Sequence, residues 1–325
     1  MIFFEKKILK MLFLGFSSGL PILLVFSTLS VWLVKAGINR STVTLFSWAG
    51  FAYAFKYLWS PIVDNFKIPF FQKLGHRRSW LFFSQAMIVV TLIATAFTDP
   101  ANNLLLTAIT ITLVAIFSAT QDIVIDAFRI ESAPQRLQGP LYSMYIAGYR
   151  FAMLVGGAGS LWLAAFLGNE IYDKAVWQVV YITMAFLMLI GILTTFFSDE
   201  PKIKKNHFLN INQHARILYV FILSLLGFIF LYNLMVNPFS VNQILSKFLY
   251  SFFRIILCFT FSGLIVFLLI KINFISNKKV NHIYLKPLTN FINRYGKFAF
   301  LILLLIGLYR IADVVMGVVA NIFYL

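Results

Sequence analysis

The sequence is short of several things, and each shortage removes a class of protein. One cysteine, Cys258, stands in 325 residues, so neither an intrachain disulfide nor a cysteine-rich metal site is open to it. The four histidines, His76, His207, His214 and His282, are scattered without ligand spacing, and no metal site or cofactor is expected. Acids are scarce, 11 against 27 Lys and Arg. Strict period-two alternation is missing, which argues against an outer-membrane barrel. No phosphate-binding Walker A loop, H-E-x-x-H, G-x-S-x-G or zinc deaminase pattern occurs, so no catalytic residues are assigned and the chain does not read as an enzyme. The first apolar run lacks an A-x-A cleavage pattern and reads as a retained helix.

What fills the chain is apolar: 61% of residues are hydrophobic and 12% charged. The apolar residues fall in runs of about 20 or more, enough for a helix to cross a bilayer. Nine such runs are read at 9–34, 42–63, 80–98, 103–128, 140–168, 176–197, 217–236, 250–274 and 298–323. The expected fold class is therefore an all-α polytopic membrane protein of about nine transmembrane helices. The net charge of +16 would suggest nucleic acid in a soluble protein, yet here it is sorted by loop. Of the 27 Lys and Arg, 19 lie on the side of the N-terminus and 5 on the other. The positive-inside bias then places the N-terminus in the cytoplasm and, after nine spans, residue 325 outside. No nucleic-acid partner is expected. Membrane lipids are.

Helices one to six have short connections and end at SDEP (198–201). The polar stretch 202–216 follows, then two more apolar runs, a second polar stretch (275–296) and a ninth run. Six helices, a linker and a restart is the layout of a transporter made of two six-helix halves. The expected domains are a six-helix bundle over 1–201, a linker with two inserted helices over 202–284, and the first helix of an incomplete second bundle over 285–325.

Charges inside the apolar runs each cost roughly 2.5–3.5 kcal/mol near the bilayer centre. Lys56, Asp122 and Arg150 all fall within roughly 6–10 Å of the midplane, counted at ~1.5 Å per residue. Similar depth predicts that they share a salt-bridged or water-lined cluster. Ser118, Asp122, Asp126 and Arg129 follow at i, i+4, i+8, i+11 on one helix face, with Gln121 beside them. An Asp so placed either exchanges protons during transport or braces an arginine permanently; both readings stand. Asp126 and Arg129, closer to the surface, suit a structural or gating pair.

Helix one carries Ser17, Pro21, Leu24 and Thr28 on a mildly polar face beside Ser18 and Gly19, fit either for a cavity wall or for tight packing. Gly148, Ala152, Gly156 and Gly159 form a stripe of small residues that suits close helix contact. Trp32, Trp59, Trp80 and Trp177 are expected as interfacial anchors. On the ninth run Arg310 and Asp313 are three residues apart and face the same way, with Tyr309 beside them. The loop 64–79 holds Asp64, Arg77 and Arg78, a basic turn able to pair with Asp64 or lipid phosphate, which marks these three as gating candidates.

The spacing of that loop resembles the helix-two/three signature of the major facilitator superfamily. Further strings are similar to the AmpG-type muropeptide permeases and their acetyl-CoA transporter relatives: LGFSSGLPILL (14–24), FKYLWSPIVD (55–64), GHRRSW (75–80), SATQDIVIDAFR (118–129) and YIAGYRFAML (145–154). The likeness runs on to DEP (199–201) and resumes at residues 285–317 as the opening of a second half, so the fold implied is a major-facilitator-type bundle whose second half is incomplete. The resemblance implies an inner-membrane symporter taking up N-acetylglucosaminyl-anhydro-muropeptides with protons. Asp122 is then the proton-coupling carboxylate, Lys56 and Arg150 its partners or those of substrate carboxylates, and Asp126 a neighbour in the cluster. Gln121, Tyr149, Ser17, Thr28 and Arg310 are the substrate-binding candidates. Two other roles remain open at this point: transport of another anionic solute, such as an acyl-CoA or nucleotide, and a transport-inactive remnant.

Overall fold

The computed structural model describes residues 5–168, 171–201, 211–236, 238, 244–272, 274–275, 281, 286–306 and 308. Among them every regular element is helical, and seven helical stretches are long and apolar enough to cross a membrane. The described residues fall into two compact units.

The first unit is a bundle. Its opening span runs through α1 (Lys6–Val25) and α2 (Ser27–Lys35), with α1 holding Pro21 and a change of backbone direction at Phe26. Four long helical stretches complete it: α6 (His76–Phe97), α7 (Leu104–Ser132), α8 (Gln138–Leu154) continuing through the π-helical turn Val155–Gly159 into α9 (Ser160–Leu167), and α10 (Lys174–Phe196). Between α2 and α6 lie the short helices α3 (Arg40–Leu45), α4 (Gly50–Ala54) and α5 (Ser60–Asn65). Side-chain caps start two of the spans. Asn103 accepts from Leu106 N at 3.0 Å and Asp173 from Ala175 N at 2.8 Å, each satisfying a donor that the first helical turn leaves open.

Helix α1 lies chiefly against α8 and also touches α7 and α10, while α6 lies between α7 and α10. The small-residue stripe explains the closest of these contacts. A methyl group on Gly148 would overlap the backbone of Leu12, and one on Gly15 that of Tyr145. Only glycine lets the two backbones meet, as expected where lipid supplies no hydrophobic drive and association depends on van der Waals contact.

Two sequence expectations change here. The run 42–63 is not one helix but α3, a 3-10 turn at Phe46–Ala49, α4, a second at Lys56–Leu58, and α5. Pro61 supplies one cause: it has no N–H for the carbonyl of Tyr57, and Ser60 Oγ donates there instead at 3.1 Å. Trp32, Trp80 and Trp177 are buried rather than anchored at an interface. Trp32 stacks on Trp177 at 5.8 Å and donates through Nε1 to the Tyr172 hydroxyl (3.3 Å), which in turn donates to Asp99 (2.8 Å). These aromatics tie the ends of three helical stretches together. Trp48 and Trp162 are the exposed ones.

The second unit contains α11 (Ile211–Leu234), α12 (Ile244–Lys271) and a ten-residue helix, α13 (Lys286–Tyr295). α11 and α12 form a hairpin. Phe228 meets Phe259 at 5.1 Å, Ser262 Oγ donates to the Ser224 carbonyl at 3.0 Å, and Arg254 donates to the Tyr232 carbonyl with its guanidinium 3.6 Å from the Tyr232 ring centre. Arg254 therefore satisfies a carbonyl left open at the end of α11. Of the ninth run, 298–306 and 308 are helical, while Tyr309, Arg310 and Asp313 lie outside the described residues.

Candidate functional site

The centre of the first unit holds a buried carboxylate. Asp122 sits about 15 Å from the end of α7 and Ser18 about 18 Å from the start of α1, counted at ~1.5 Å per residue, so the helices bring them level in mid-bundle. Ser18 Oγ donates to Asp122 Oδ1 at 2.5 Å, within the range of a charge-assisted O–H···O⁻ bond. Ser18 Oγ is also 2.9 Å from the Tyr145 hydroxyl. With the Ser18 proton committed to the carboxylate, Tyr145 is the donor in that second bond. On the other side Lys56 Nζ stands 3.8 Å from Asp122 Oδ2, with 30% of its side chain exposed against 12% for Asp122. The 3-10 turn that breaks the expected second helix is where Lys56 sits. Trp59, three residues on, donates to Thr120 Oγ1 at 3.1 Å and ties that turn to α7.

Arg150 is not part of this group. It is exposed, and its described contact is 3.8 Å to Met153 Sδ. Depth put it beside Asp122, but rotation about the helix axis decides otherwise. At ~100° per residue Arg150 lies roughly 140° round from Tyr145, whereas Gly148 and Ala152 share the Tyr145 face that meets α1. Tyr149 is half-buried, with its ring 6.0 Å from that of Tyr145.

The other expected binding residues lie inside the bundle. Ser17 Oγ donates to the Leu14 carbonyl, and Thr28 Oγ1 sits 2.8 Å from both the Gly156 carbonyl and Ser160 Oγ. Gln121 is fully buried, and neither end of its amide has a hydrogen-bond partner among the described residues. Ser118 Oγ, one turn before Asp122, is in the same condition. Buried polar atoms left so are the usual positions for water. No cluster of metal-ligating side chains occurs among the described residues.

A second charged group closes the end of the bundle where α6 begins and α7 and α10 finish. Arg77 makes a bidentate pair with Glu131 at 2.9 and 2.6 Å. The Glu200 carboxylate accepts from Arg77 N and Arg78 N at 2.8 and 3.0 Å, capping α6 from outside. Gly75 precedes them at φ 95°, a left-handed conformation that glycine enters without penalty. The Arg78 guanidinium donates to the carbonyls of Thr195 and Phe196 at the end of α10. Arg129 pairs with Asp126 at 3.6 Å and lies 5.1 Å from the Tyr142 ring centre. Asp64 is exposed in α5. Sequence reasoning missed Tyr145, Glu131 and Glu200. Glu200 stood in the DEP string and Tyr145 one turn before Tyr149, but nothing local indicated their partners.

The fold agrees with what the chain is similar to. The Major Facilitator Superfamily profile matches residues 11–324. The chain belongs to this superfamily. Its relatives include "Putative transporter AmpG 4" of Rickettsia felis, 37% identical over 203 residues, covering 62% of this chain and 47% of that protein. The "Anhydromuropeptide permease" of Escherichia coli K12 is 38% identical over 201 residues, 62% of this chain and 39% of the permease. "Putative transporter AmpG 1" of Rickettsia conorii is 32% identical over 251 residues, 70% of this chain and 60% of that protein. The chain thus spans about half the length, or less, of the first relatives named. As a superfamily member with seven described membrane-length helices it is a multi-pass membrane protein.

Proposed function

We propose that this protein works in the uptake of muropeptide-type solutes by proton symport, with Asp122 as the coupling carboxylate. The observation that carries the reading is the chain of contacts Tyr145–Ser18–Asp122–Lys56 in mid-bundle. While Asp122 is ionised it holds Lys56 and accepts the hydrogen bond from Ser18. Once protonated it no longer attracts Lys56, which becomes available to an anionic solute, and the hydroxyl chain can reverse with Asp122 donating. Protonation and solute binding are then linked through one cation, which couples the two in a symporter. A muropeptide suits the cation because it carries carboxylates, and the named relatives include an anhydromuropeptide permease. The Lys and Arg bias orients the N-terminus to the cytoplasm.

Uptake of radiolabelled anhydromuropeptide by permease-deficient cells tests this. Cells making the protein should accumulate label in a manner sensitive to a protonophore, and Asp122→Asn should abolish accumulation while leaving the protein at wild-type levels in the membrane. Undiminished uptake by Asp122→Asn would remove Asp122 from the coupling role.

A further inference from the structure

We infer that α13 with the turn after it, residues 286–297, is a docking surface for the anionic headgroups of the adjoining lipid leaflet. It lies in the connection between a membrane-length helix, ending at Lys271, and the apolar helical residues 298–306. The end of that helix at Lys271 marks one bilayer surface. In between, the sequence has Lys278, Lys279, Lys286 and Arg294 and no acid. Charge of one sign without internal compensation calls for an external anion.

Helix α13 gives the charge a shape. Phe291, Ile292 and Tyr295 fall at i, i+1 and i+4 on one side, with the Phe291 and Tyr295 rings 4.8 Å apart. Lys286, Thr289, Asn290, Asn293 and Arg294 occupy the rest, and Lys297 follows Gly296, whose φ of 54° turns the chain into the next helix. Ile292 and Tyr295 are 50% and 42% exposed beside exposed Lys286, Arg294 and Lys297. Arg294 lies 5.7 Å from the Tyr295 ring centre, at the boundary between the two faces. An amphipathic helix with cations along its polar side and aromatics on the other lies in the headgroup plane, sinking its apolar side while its cations meet lipid phosphates. Neutral lipids offer the apolar contact alone; anionic ones offer both, so the preference is for phosphatidylglycerol-type lipid over phosphatidylcholine.

The test uses the full chain in nanodiscs, with Cys258→Ser and a fluorescent donor on Asn293→Cys. Energy transfer is compared between acceptor-tailed phosphatidylglycerol and acceptor-tailed phosphatidylcholine at one mole fraction. The apparent local density of the anionic acceptor should exceed that of the neutral one by about twofold to fivefold and shrink at high salt. It should vanish in Lys286→Gln/Arg294→Gln/Lys297→Gln and survive in Lys286→Arg/Lys297→Arg, which keeps the charge. A donor at Val236→Cys, beyond the opposite end of α12, should show no preference. Equal transfer to the two lipids, a preference that persists in the triple Gln variant, or the same preference at position 236 would each overturn the inference.

Discussion

The neighbours of Asp122 include a hydroxyl that donates to it and an ammonium that balances it, and single substitutions separate their contributions. Ser18→Ala removes the hydroxyl that donates to Asp122 Oδ1 and should lower thermal stability by about 1–3 kcal/mol, the usual cost of losing a bond to a buried group. In the Asp122→Asn background the same change should cost less, because the charge that made the bond strong is gone; denaturation of the four proteins in detergent measures the difference. Equal costs in both backgrounds would mean that Ser18 and Asp122 do not interact. Tyr172, in the connection before α10, titrates differently. Burial pushes its hydroxyl up to about 12, with the bond it donates to Asp99 acting in the same direction. A folded-state value raised above the ordinary 10 gives stability that is complete below pH 10 and lost as pH rises through 12. Tyr172→Phe should therefore be the less stable protein at pH 7, and the gap should narrow between pH 10 and 12 in melts of the two proteins. At this scale the sequence named Asp122 and Lys56 correctly as neighbours in depth, because isolated charges in lipid are costly. It misjudged Arg150, since depth follows from counting residues while partnership depends on which side of α8 the residue occupies.

Between elements, the contact of α1 with α8 depends on the absence of side chains. Gly148→Leu would force the Leu12 backbone away, and overpacking of this kind costs about 1–3 kcal/mol. Because Ser18 and Tyr145 belong to the same two helices, the substitution should also weaken transport. Its effect on a melt in detergent should exceed that of Gly139→Leu, since a side chain at Gly139 meets nothing within 4 Å. A Gly148→Leu protein as stable as the parent would show that the helices do not meet closely. The small-residue spacing was legible because a four-residue repeat marks one helix face. The broken stretch 42–63 was not, although it sets the position of Lys56. Pro61 accounts for the turn beside it, while the earlier irregularity at Phe55 has no local cause visible in the residue types.

On the scale of the whole molecule, orientation follows from the loops. Reporter fusions at positions 70 and 132 should report cytoplasm and those at 100 and 172 the outside, from the 19-to-5 division of Lys and Arg. Reversal at two of these sites would refute the orientation. In the first unit Lys10 pairs with Asp199 and Arg77 with Glu131 at one end, and Trp32, Tyr172 and Asp99 meet at the other. The sequence alone determined that the chain is helical and crosses a membrane repeatedly, because the bilayer imposes length and apolarity on each segment separately. Tertiary structure decided which buried polar groups meet. It gave Glu200 to the start of α6, Glu131 to Arg77, and Ser18 rather than Ser17 to Asp122. Such pairings depend on the rotation of each helix about its axis and on the approach its glycines permit, and residues 54 to 123 positions apart carry no local trace of either.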